Sequence, residues 1–270
     1  MPGKVYLVGA GPGDADLLTL RAFKLLKSAD VVLHDDLVGP GVLNFISTSA
    51  EVENVGKRCG QKSARQEHIH ARLIYHASLG RQVVRLKGGD PLLFGRGGEE
   101  IEALRRAQID FEVVPGVTAA LGAAAIAQIP LTHRHVSSAV MVLTSHHASK
   151  DADPWPETIP ANVTLVIYMP GYAYQETRAR LVRAGLSSRT PVAVISQASS
   201  PHEQVYRTTI ANLHLAPRLP APTLLVVGDV VRFADHATLR RQLARAARRQ
   251  ELAPLAAKPE AVSEGQEQGE

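Results

Sequence analysis

VRLKGGDPLLFGRGGEE, residues 84–100, runs from a predicted strand through a glycine-rich loop into a predicted helix. Glycine lacks a Cβ and lets the backbone turn tightly or approach a ligand closely, and five glycines fall within this one crossover. Asp90 can accept hydrogen bonds, while Arg85 and Arg96 each carry a planar fork that can hold a carboxylate through two bonds. A loop that only connects a strand to a helix does not need so many glycines and charged residues. The segment therefore predicts a ligand site between a strand and a helix.

The first half of the chain alternates predicted strands and helices. Helical spacing of apolar residues predicts a helix over residues 17–27, and Ser63 with Gln66 forms a capping box for a helix that ends near Gly80. Alternation of this kind indicates right-handed βαβ units and hence a parallel sheet. The predicted strands are residues 5–8, 31–33, 52–55, 83–86 and 111–114.

A second alternating set follows residues 130–135, which we interpret as a hinge. Its last strands lie close together in the sequence and include a predicted hairpin, so the second sheet is expected to be mixed. The chain therefore predicts two α/β domains, residues 1–133 and 137–236, followed by a basic helix and disordered tail over residues 237–270. The predicted strands of the second set are residues 140–144, 163–169, 192–196, 205–209 and 224–227, with a helix over residues 176–184.

Composition narrows the class of protein. Of the 270 residues, 45% are hydrophobic but only 4% are aromatic, so aliphatic side chains must fill the cores, as in sheets covered by helices. A single cysteine, Cys59, excludes an internal disulfide, and with no secretory signal we expect a cytoplasmic protein. The longest apolar stretch, residues 117–131, is too short for a membrane span and predicts a buried helix. Arginines between residues 240 and 249 lack an aromatic platform, so we expect no nucleic-acid partner.

A second glycine loop, GAGPGD at residues 9–14, follows the first predicted strand. A dinucleotide-binding Rossmann loop requires a third glycine where Asp14 stands, and Pro12 removes an N–H that could hold phosphate. In favour of that reading, Asp35 ends the second predicted strand, where a ribose-binding acid belongs. This loop alone leaves open a dinucleotide site and a purely structural tight turn.

The segment 84–100 and seven further passages, in the same order along the chain, resemble the tetrapyrrole methylase family, and within it the uroporphyrinogen-III C-methyltransferases. The resemblance implies two α/β domains with the active site in the cleft between them, S-adenosylmethionine bound in a folded conformation, and a homodimer. It also implies the reaction, methylation of uroporphyrinogen III at C2 and C7 to precorrin-2, with S-adenosylhomocysteine as the second product. The matching passages are residues 5–14, 30–38, 55–58, 84–100, 113–120, 129–134, 167–169 and 191–197.

The resemblance also implies roles for individual residues. Asp35 matches a proton acceptor and Lys57 a proton donor, whereas Arg96 and Glu99 match residues that handle the substrate. Arg58 and Arg134 are candidates for further partners of the many carboxylates of that substrate, and the alternative for both is a role in surface ion pairs. The residues that match cofactor contacts are Pro12, Gly88, Gly89, Asp90, Leu93, Thr118, Ala119, Met169 and Ala198, the last at a position that is often glycine in relatives.

Three departures from the family pattern leave the substrate and the number of methylations open. The chain has His-Asp-Asp at 34–36 in place of Tyr-Asp-Arg, Thr-Ser-His at 144–146 in place of Thr-Gly-His, and Tyr-Met-Pro-Gly at 168–171 in place of Tyr-Met-Gly. The alternatives are another precorrin methylase or diphthine synthase of the same fold, and an NAD-linked oxidoreductase. The histidines show no ligand cluster, so no metal is expected.

Overall fold

The computed structural model describes residues 3–56, 66–145 and 155–234. Its strands fall into two five-stranded sheets, and each predicted strand is present with its ends within one residue of the expected positions. Both sheets belong to one compact unit that ends at Ala234, and the predicted tail lies outside the described residues. The predicted fold class, a parallel sheet followed by a mixed sheet, is confirmed, while the domain boundaries stay a prediction.

The first sheet is parallel throughout, with strand order β3-β2-β4-β1-β5. Parallel strands place all their carboxyl ends at one edge, so the loops that follow β1, β2 and β4 meet there. The two strands β2 and β4 are buried along their whole length, as expected for strands covered on both faces. The strands are β1 (Lys4–Gly9), β2 (Val31–His34), β3 (Glu51–Asn54), β4 (Val83–Lys87) and β5 (Asp110–Val114).

The second sheet has strand order β6-β7-β10-β8-β9. Strands β6 and β7 pair in parallel, whereas the other three pairings are antiparallel. The antiparallel β8–β9 pair is the predicted hairpin, so the mixed character of this sheet is confirmed. The strands are β6 (Ala139–Thr144), β7 (Val163–Tyr168), β8 (Pro191–Ser196), β9 (Gln204–Thr209) and β10 (Thr223–Val227).

Six α-helices connect the described strands: α1 (Leu20–Ser28), α2 (Pro40–Leu43), α3 (Gln66–Ser78), α4 (Gly97–Arg106), α5 (Ala119–Ala127) and α6 (Tyr174–Arg183). The expectation that the first helix begins at residue 17 is wrong. The side chain of Thr19 caps α1 by accepting the Ala22 N–H at 3.2 Å, which fixes the start at residue 20. Asp14 instead accepts the Asp16 N–H and begins a separate 3₁₀ turn.

Helix α5 joins the parallel sheet to the mixed one. Its buried face consists of Ala120, Ala123 and Ala127, which pack with apolar residues of β7, β8 and β10. Alanine side chains allow a helix to approach a sheet closely. Helix α5, which follows β5 in the chain, therefore packs directly against the second sheet. Across the described ranges, the structure holds no helix with the length and hydropathy needed to cross a membrane.

Candidate active site

The two glycine loops predicted from the sequence meet at the carboxyl edge of the parallel sheet. The N–H of Gly11 donates to the Gly89 carbonyl at 3.2 Å, and the Gly89 N–H donates to the Gly11 carbonyl at 2.7 Å. Both glycines have positive φ, +75° and +68°, a conformation that other residues adopt only with strain. The loops therefore form one continuous backbone surface, although almost eighty residues separate them in the sequence.

A third loop, after β5, is held against the first two by Asp90. One carboxylate oxygen of Asp90 accepts the Leu92 N–H at 2.9 Å, and the other accepts the Gly116 N–H at 3.0 Å. A Cβ placed on Gly116 would lie 2.3 Å from the carbonyl oxygen of Gly89, so only glycine fits between these loops. Because both oxygens bind backbone, Asp90 shapes the site whether or not it also contacts a ligand.

These loops border a cavity of about 510 Å³, which the ends of β7, β8 and β10 close from the other side. Of the predicted site residues, Glu99 is outside its lining, Lys57 and Arg58 lie outside the described residues, and Arg134 is elsewhere on the surface. The structure brings the others together around the cavity: Pro12, Asp35, Gly88, Gly89, Asp90, Leu93, Arg96, Thr118, Ala119, Met169 and Ala198.

The inner wall of the cavity carries a buried network of charges. Arg85 donates from Nη2 to Asp35 at 2.5 Å and from Nε to Glu100 at 3.0 Å. Lys87 also donates to Glu100 at 3.0 Å, and Gln66 does so at 3.3 Å. Arg85 was expected to be available for a ligand carboxylate, but the structure shows it bound to two carboxylates of the protein itself.

Burial and charge act differently on the two cations of this network. Burial and repulsion from Arg85 lower the pKa of Lys87, although Glu100 works in the opposite direction. Burial also works to lower the pKa of Arg85, but the carboxylates of Asp35 and Glu100 outweigh it and raise that pKa. Arg85 is therefore a fixed positive charge, and Lys87 is the member of the pair that loses its proton more easily.

Arg96 stands at the mouth of the cavity, paired with Glu99. Its Nε and Nη2 donate to the two carboxylate oxygens of Glu99, each at 2.7 Å, and both side chains remain about half exposed. These hydrogen bonds raise the pKa of Arg96 and lower that of Glu99. The backbone of Arg96 is left-handed, with φ of 58°. Arg96 lies between Gly95 and Gly97, and Gly97 is the first residue of helix α4.

Comparison with known proteins places this arrangement in a family. The sequence profile described as Tetrapyrrole (Corrin/Porphyrin) Methylases matches residues 4–214. The chain belongs to the tetrapyrrole methylase family. Members of this family use S-adenosylmethionine as methyl donor.

Individual tetrapyrrole methylase relatives agree with the profile. The siroheme synthase of Azotobacter vinelandii is 47% identical over 237 residues, which are 86% of this chain but 51% of that protein. The chain thus spans about half the length of the curated relatives it matches. A solved uroporphyrin-III C-methyltransferase from Thermus thermophilus is 44% identical, with a TM-score of 0.73 over 88% of this chain and 100% of its own. Another, complexed with S-adenyl homocysteine, is 38% identical with a TM-score of 0.71, covering 85% and 99%.

The geometry of this tetrapyrrole methylase differs from that of a dinucleotide-binding fold. A Rossmann loop leads directly into a helix whose N-terminus holds the pyrophosphate. Here β1 ends at Gly9, a 3₁₀ turn intervenes, and α1 begins only at Leu20. The strand order of the parallel sheet also differs from the Rossmann order, because β4 lies between β2 and β1. These features do not support the NAD-linked alternative.

Tyr168, which the sequence reasoning did not select as a site residue, ties the two sides of the cavity together. Its hydroxyl accepts the Ala120 N–H at 2.8 Å and shares a hydrogen bond of 2.5 Å with the Thr118 hydroxyl. Burial raises the pKa of Tyr168, so the hydroxyl stays protonated. The ring of Phe94 packs on Tyr168 at 5.1 Å, and both Phe94 and the neighbouring Met169 have positive φ. Residues other than glycine that adopt a left-handed backbone conformation are concentrated at functional sites.

Sequence reasoning also missed Lys87 and Glu100, although the sequence carries a signal for each. Lys87 ends a strand whose other residues are almost all apolar, so its side chain has to be buried or face a ligand. Glu100 lies three and four residues before Ala103 and Leu104 on the helical repeat, which places it on the buried face of α4. Glu99, one position earlier, falls on the exposed face.

Among the described residues, Glu51, Glu53 and His76 have the spacing of a metal site, with ligand atoms within 4.8 Å of one another. Arginines already bind these carboxylates. Arg72 donates to both oxygens of Glu53, and Arg81 donates to Glu51 at 2.6 Å. Two guanidinium charges beside the group disfavour a bound cation, so we assign it as an ion-pair cluster between β3 and α3.

Proposed function

We propose that this chain is an S-adenosylmethionine-dependent C-methyltransferase that converts uroporphyrinogen III to precorrin-2. The observation that carries the proposal is the convergence of the predicted cofactor and substrate residues, from both sheets, on one cavity. The match to solved uroporphyrin-III C-methyltransferases over almost their entire length supports the same reaction. The match to siroheme synthases supports a place for the reaction in siroheme formation.

The cavity has features that suit S-adenosylmethionine. Its volume is within the range of roughly 300–1,000 Å³ that small-molecule sites occupy. Glycine backbones at Gly88 and Gly89, and small side chains at Ala119 and Ala198, leave room for close contact along its walls. These residues, with Pro12, would hold the cofactor. When bound, S-adenosylmethionine supplies a methyl group activated by a sulfonium.

The residues of the chain then have two tasks. A pyrrole carbon of the substrate is already an enamine-like nucleophile, so no covalent intermediate with the protein is needed. The cavity must align that carbon with the methyl group. A proton must also leave the macrocycle. Asp35 is proposed to accept it, which is supported by its position in the cavity lining and by the hydrogen bond with which Arg85 holds its carboxylate. Lys57 is proposed as the proton donor from the family resemblance alone.

Arg96 is proposed to bind a carboxylate of the substrate. Each basic side chain that lines the cavity in the described ranges already faces a carboxylate of the protein: Arg85, Lys87 and Arg96. Of these, the Arg96 pair is the most exposed, with both side chains about half exposed, so it is the pair that opens at least cost. A homodimer, expected from the resemblance, is likewise proposed.

Calorimetry and turnover together test the proposal. S-adenosylhomocysteine is titrated into the purified chain, with NAD in a matched titration, and methyl transfer from S-adenosylmethionine to uroporphyrinogen III is then assayed. We expect S-adenosylhomocysteine to bind, NAD not to bind and uroporphyrinogen III to be methylated. If NAD binds and S-adenosylhomocysteine does not, the methyltransferase assignment is refuted. If S-adenosylhomocysteine binds but methyl transfer occurs only to a precorrin, the methyltransferase assignment stands and uroporphyrinogen III is not the substrate.

A further inference from the structure

Glu100 is the centre of the buried network, although it does not line the cavity. It is 0% exposed, and one of its oxygens, Oε1, accepts hydrogen bonds from Arg85, Lys87 and Gln66. Its other oxygen, Oε2, is buried without a hydrogen-bond partner among the described residues. Because all three donors bind the same oxygen, Glu100 can fix the orientation of the Arg85, Lys87 and Gln66 side chains.

The contact of Glu100 with Arg85 extends to Asp35. Glu100 takes the Nε–H of the guanidinium at 3.0 Å, and Asp35 takes one Nη2–H at 2.5 Å. The remaining contacts of Arg85 are longer bonds of 3.4 and 3.3 Å to the carbonyls of Leu33 and Leu86. The short bonds from Nε and Nη2 thus fix the guanidinium. Without the Nε–H bond, only the weaker carbonyl contacts would hold it besides the bond to Asp35 itself.

We propose that Glu100 is a positioning residue for methyl transfer, which orients the Arg85 guanidinium and thereby holds the Asp35 carboxylate at the cavity wall. This inference rests on the proposed function, because it assigns Asp35 the role of proton acceptor. Proton transfer is sensitive to geometry, and a displacement of about 1 Å can cost roughly 100-fold in rate. Glu100 acts through Arg85 and does not itself reach the reacting atoms.

A purely structural role gives a different expectation. Buried ion networks can often be replaced by apolar groups of similar size without loss of stability, whereas removal of one charge alone is strongly destabilising. Leucine at position 100 is apolar and of similar size, and it cannot accept the Arg85 Nε–H as glutamine still could. Glu100→Leu leaves Lys87 as an unpaired buried cation, so this variant is expected to lose stability. The double variant K87M/E100L removes one charge of each sign and leaves the Arg85–Asp35 pair neutral. Stability and positioning can therefore be separated.

The experiment compares the wild type, K87M, E100L and K87M/E100L. Glu102→Gln is the matched control, because Glu102 is an exposed glutamate on the same helix. For each protein, thermal stability, S-adenosylhomocysteine affinity, kcat and the KM for uroporphyrinogen III are measured. We expect K87M/E100L to fold and bind S-adenosylhomocysteine like the wild type, with kcat reduced roughly 100-fold and KM little changed. E102Q should match the wild type in all four.

Two kinetic results would overturn the inference. Near-normal kcat in K87M/E100L would show that Asp35 is held without Glu100. An equal loss in K87M alone would assign the effect to Lys87.

A readout without substrate keeps this inference separate from the proposed function. The Nε–H signal of Arg85, assigned through its absence in Arg85→Lys, is measured by NMR. We expect slow exchange in the wild type and fast exchange in K87M/E100L, because leucine offers no acceptor for that N–H. Retained protection in the double variant would overturn the inference. If the wild type transfers no methyl group to any tetrapyrrole, the proposed function fails, while the NMR result still decides whether Glu100 orients Arg85.

Discussion

Replacing Arg96 by alanine or lysine isolates what its planar fork contributes to substrate binding. In the structure, the guanidinium of Arg96 donates two hydrogen bonds of 2.7 Å to Glu99, and both side chains are about half exposed. Exposed pairs are worth about 0.2–1 kcal/mol, so a substrate carboxylate can displace Glu99 at small cost. In the cavity, charge-assisted bonds to that carboxylate contribute about 1.5–3 kcal/mol. Loss of that contribution in Arg96→Ala corresponds to a fall of roughly 10- to 150-fold in kcat/KM.

The remaining variants define the geometry of this contact. Arg96→Lys keeps the charge but not the fork, so we expect a loss close to that of Arg96→Ala. Glu99→Gln removes the internal competitor and should lower the KM for uroporphyrinogen III by up to about five-fold. The assay is steady-state methyl transfer with varied acceptor, with S-adenosylhomocysteine affinity measured on the same preparations. Arg106→Ala, an exposed arginine on the same helix, is the control and should behave as the wild type.

Two results would refute this account of Arg96. Near-normal kcat/KM in Arg96→Ala would mean that another group binds the acceptor carboxylates. Lost S-adenosylhomocysteine affinity with unchanged acceptor kinetics would assign Arg96 to the cofactor side of the cavity.

Three further substitutions test separate parts of the structure. Asp35→Asn should reduce turnover by about 10²- to 10⁴-fold while S-adenosylhomocysteine affinity is retained, because it removes the proton acceptor and leaves the predicted cofactor contacts in place. Gly116→Ala should lower S-adenosylhomocysteine affinity by more than about ten-fold, because its Cβ would collide with the carbonyl of Gly89. The hydrogen bond from Arg72 lowers the pKa of Glu53 below its ordinary value of 4.5, so Glu53 stabilises the fold above that pH and loses this contribution as the pH falls. Glu53→Gln should therefore cost about 1–3 kcal/mol at pH 7 and progressively less in acid, as measured by denaturant unfolding.

Each of these tests has a contradicting result, and two of them have a matched control. Gly98→Ala is matched to Gly116→Ala, since a Cβ on Gly98 meets nothing within 4 Å, and it should leave affinity unchanged. Wild-type affinity in Gly116→Ala would show that the loops can separate at no cost. Glu102→Gln is the control for Glu53→Gln, and a stability loss in Glu53→Gln that did not change with pH would contradict its ion pairing. Full turnover in Asp35→Asn would remove Asp35 from the mechanism.

The order of strands could be predicted from the sequence because their signals are local. Short buried runs of β-branched residues, separated by helical repeats and glycines, identify strands wherever they occur. Both glycine loops were recognised for the same reason, since Gly11 and Gly89 need positive φ in their own backbone. The start of α1 was missed because a capping threonine at position 19 competed successfully with the apolar repeat that begins earlier.

The partners within the site could not be predicted, because they depend on how distant elements pack. Arg85 was expected to face a ligand, but whether it meets a ligand or a protein carboxylate depends on where α4 lies against β2 and β4. The same applies to Tyr168, whose hydroxyl reaches the start of α5 across the cavity. Spacing along the chain shows which residue types are present, whereas their pairing is a property of the three-dimensional structure.

Counting the methyl groups on the product tests the central claim most directly. The purified chain is incubated with uroporphyrinogen III and with S-adenosylmethionine that carries a deuterated methyl group, and the tetrapyrrole is then examined by mass spectrometry. We predict a tetrapyrrole that carries two labelled methyl groups, with two molecules of S-adenosylhomocysteine formed for each. An unlabelled tetrapyrrole, recovered from folded protein that binds S-adenosylhomocysteine, would contradict the assignment of uroporphyrinogen III as the substrate.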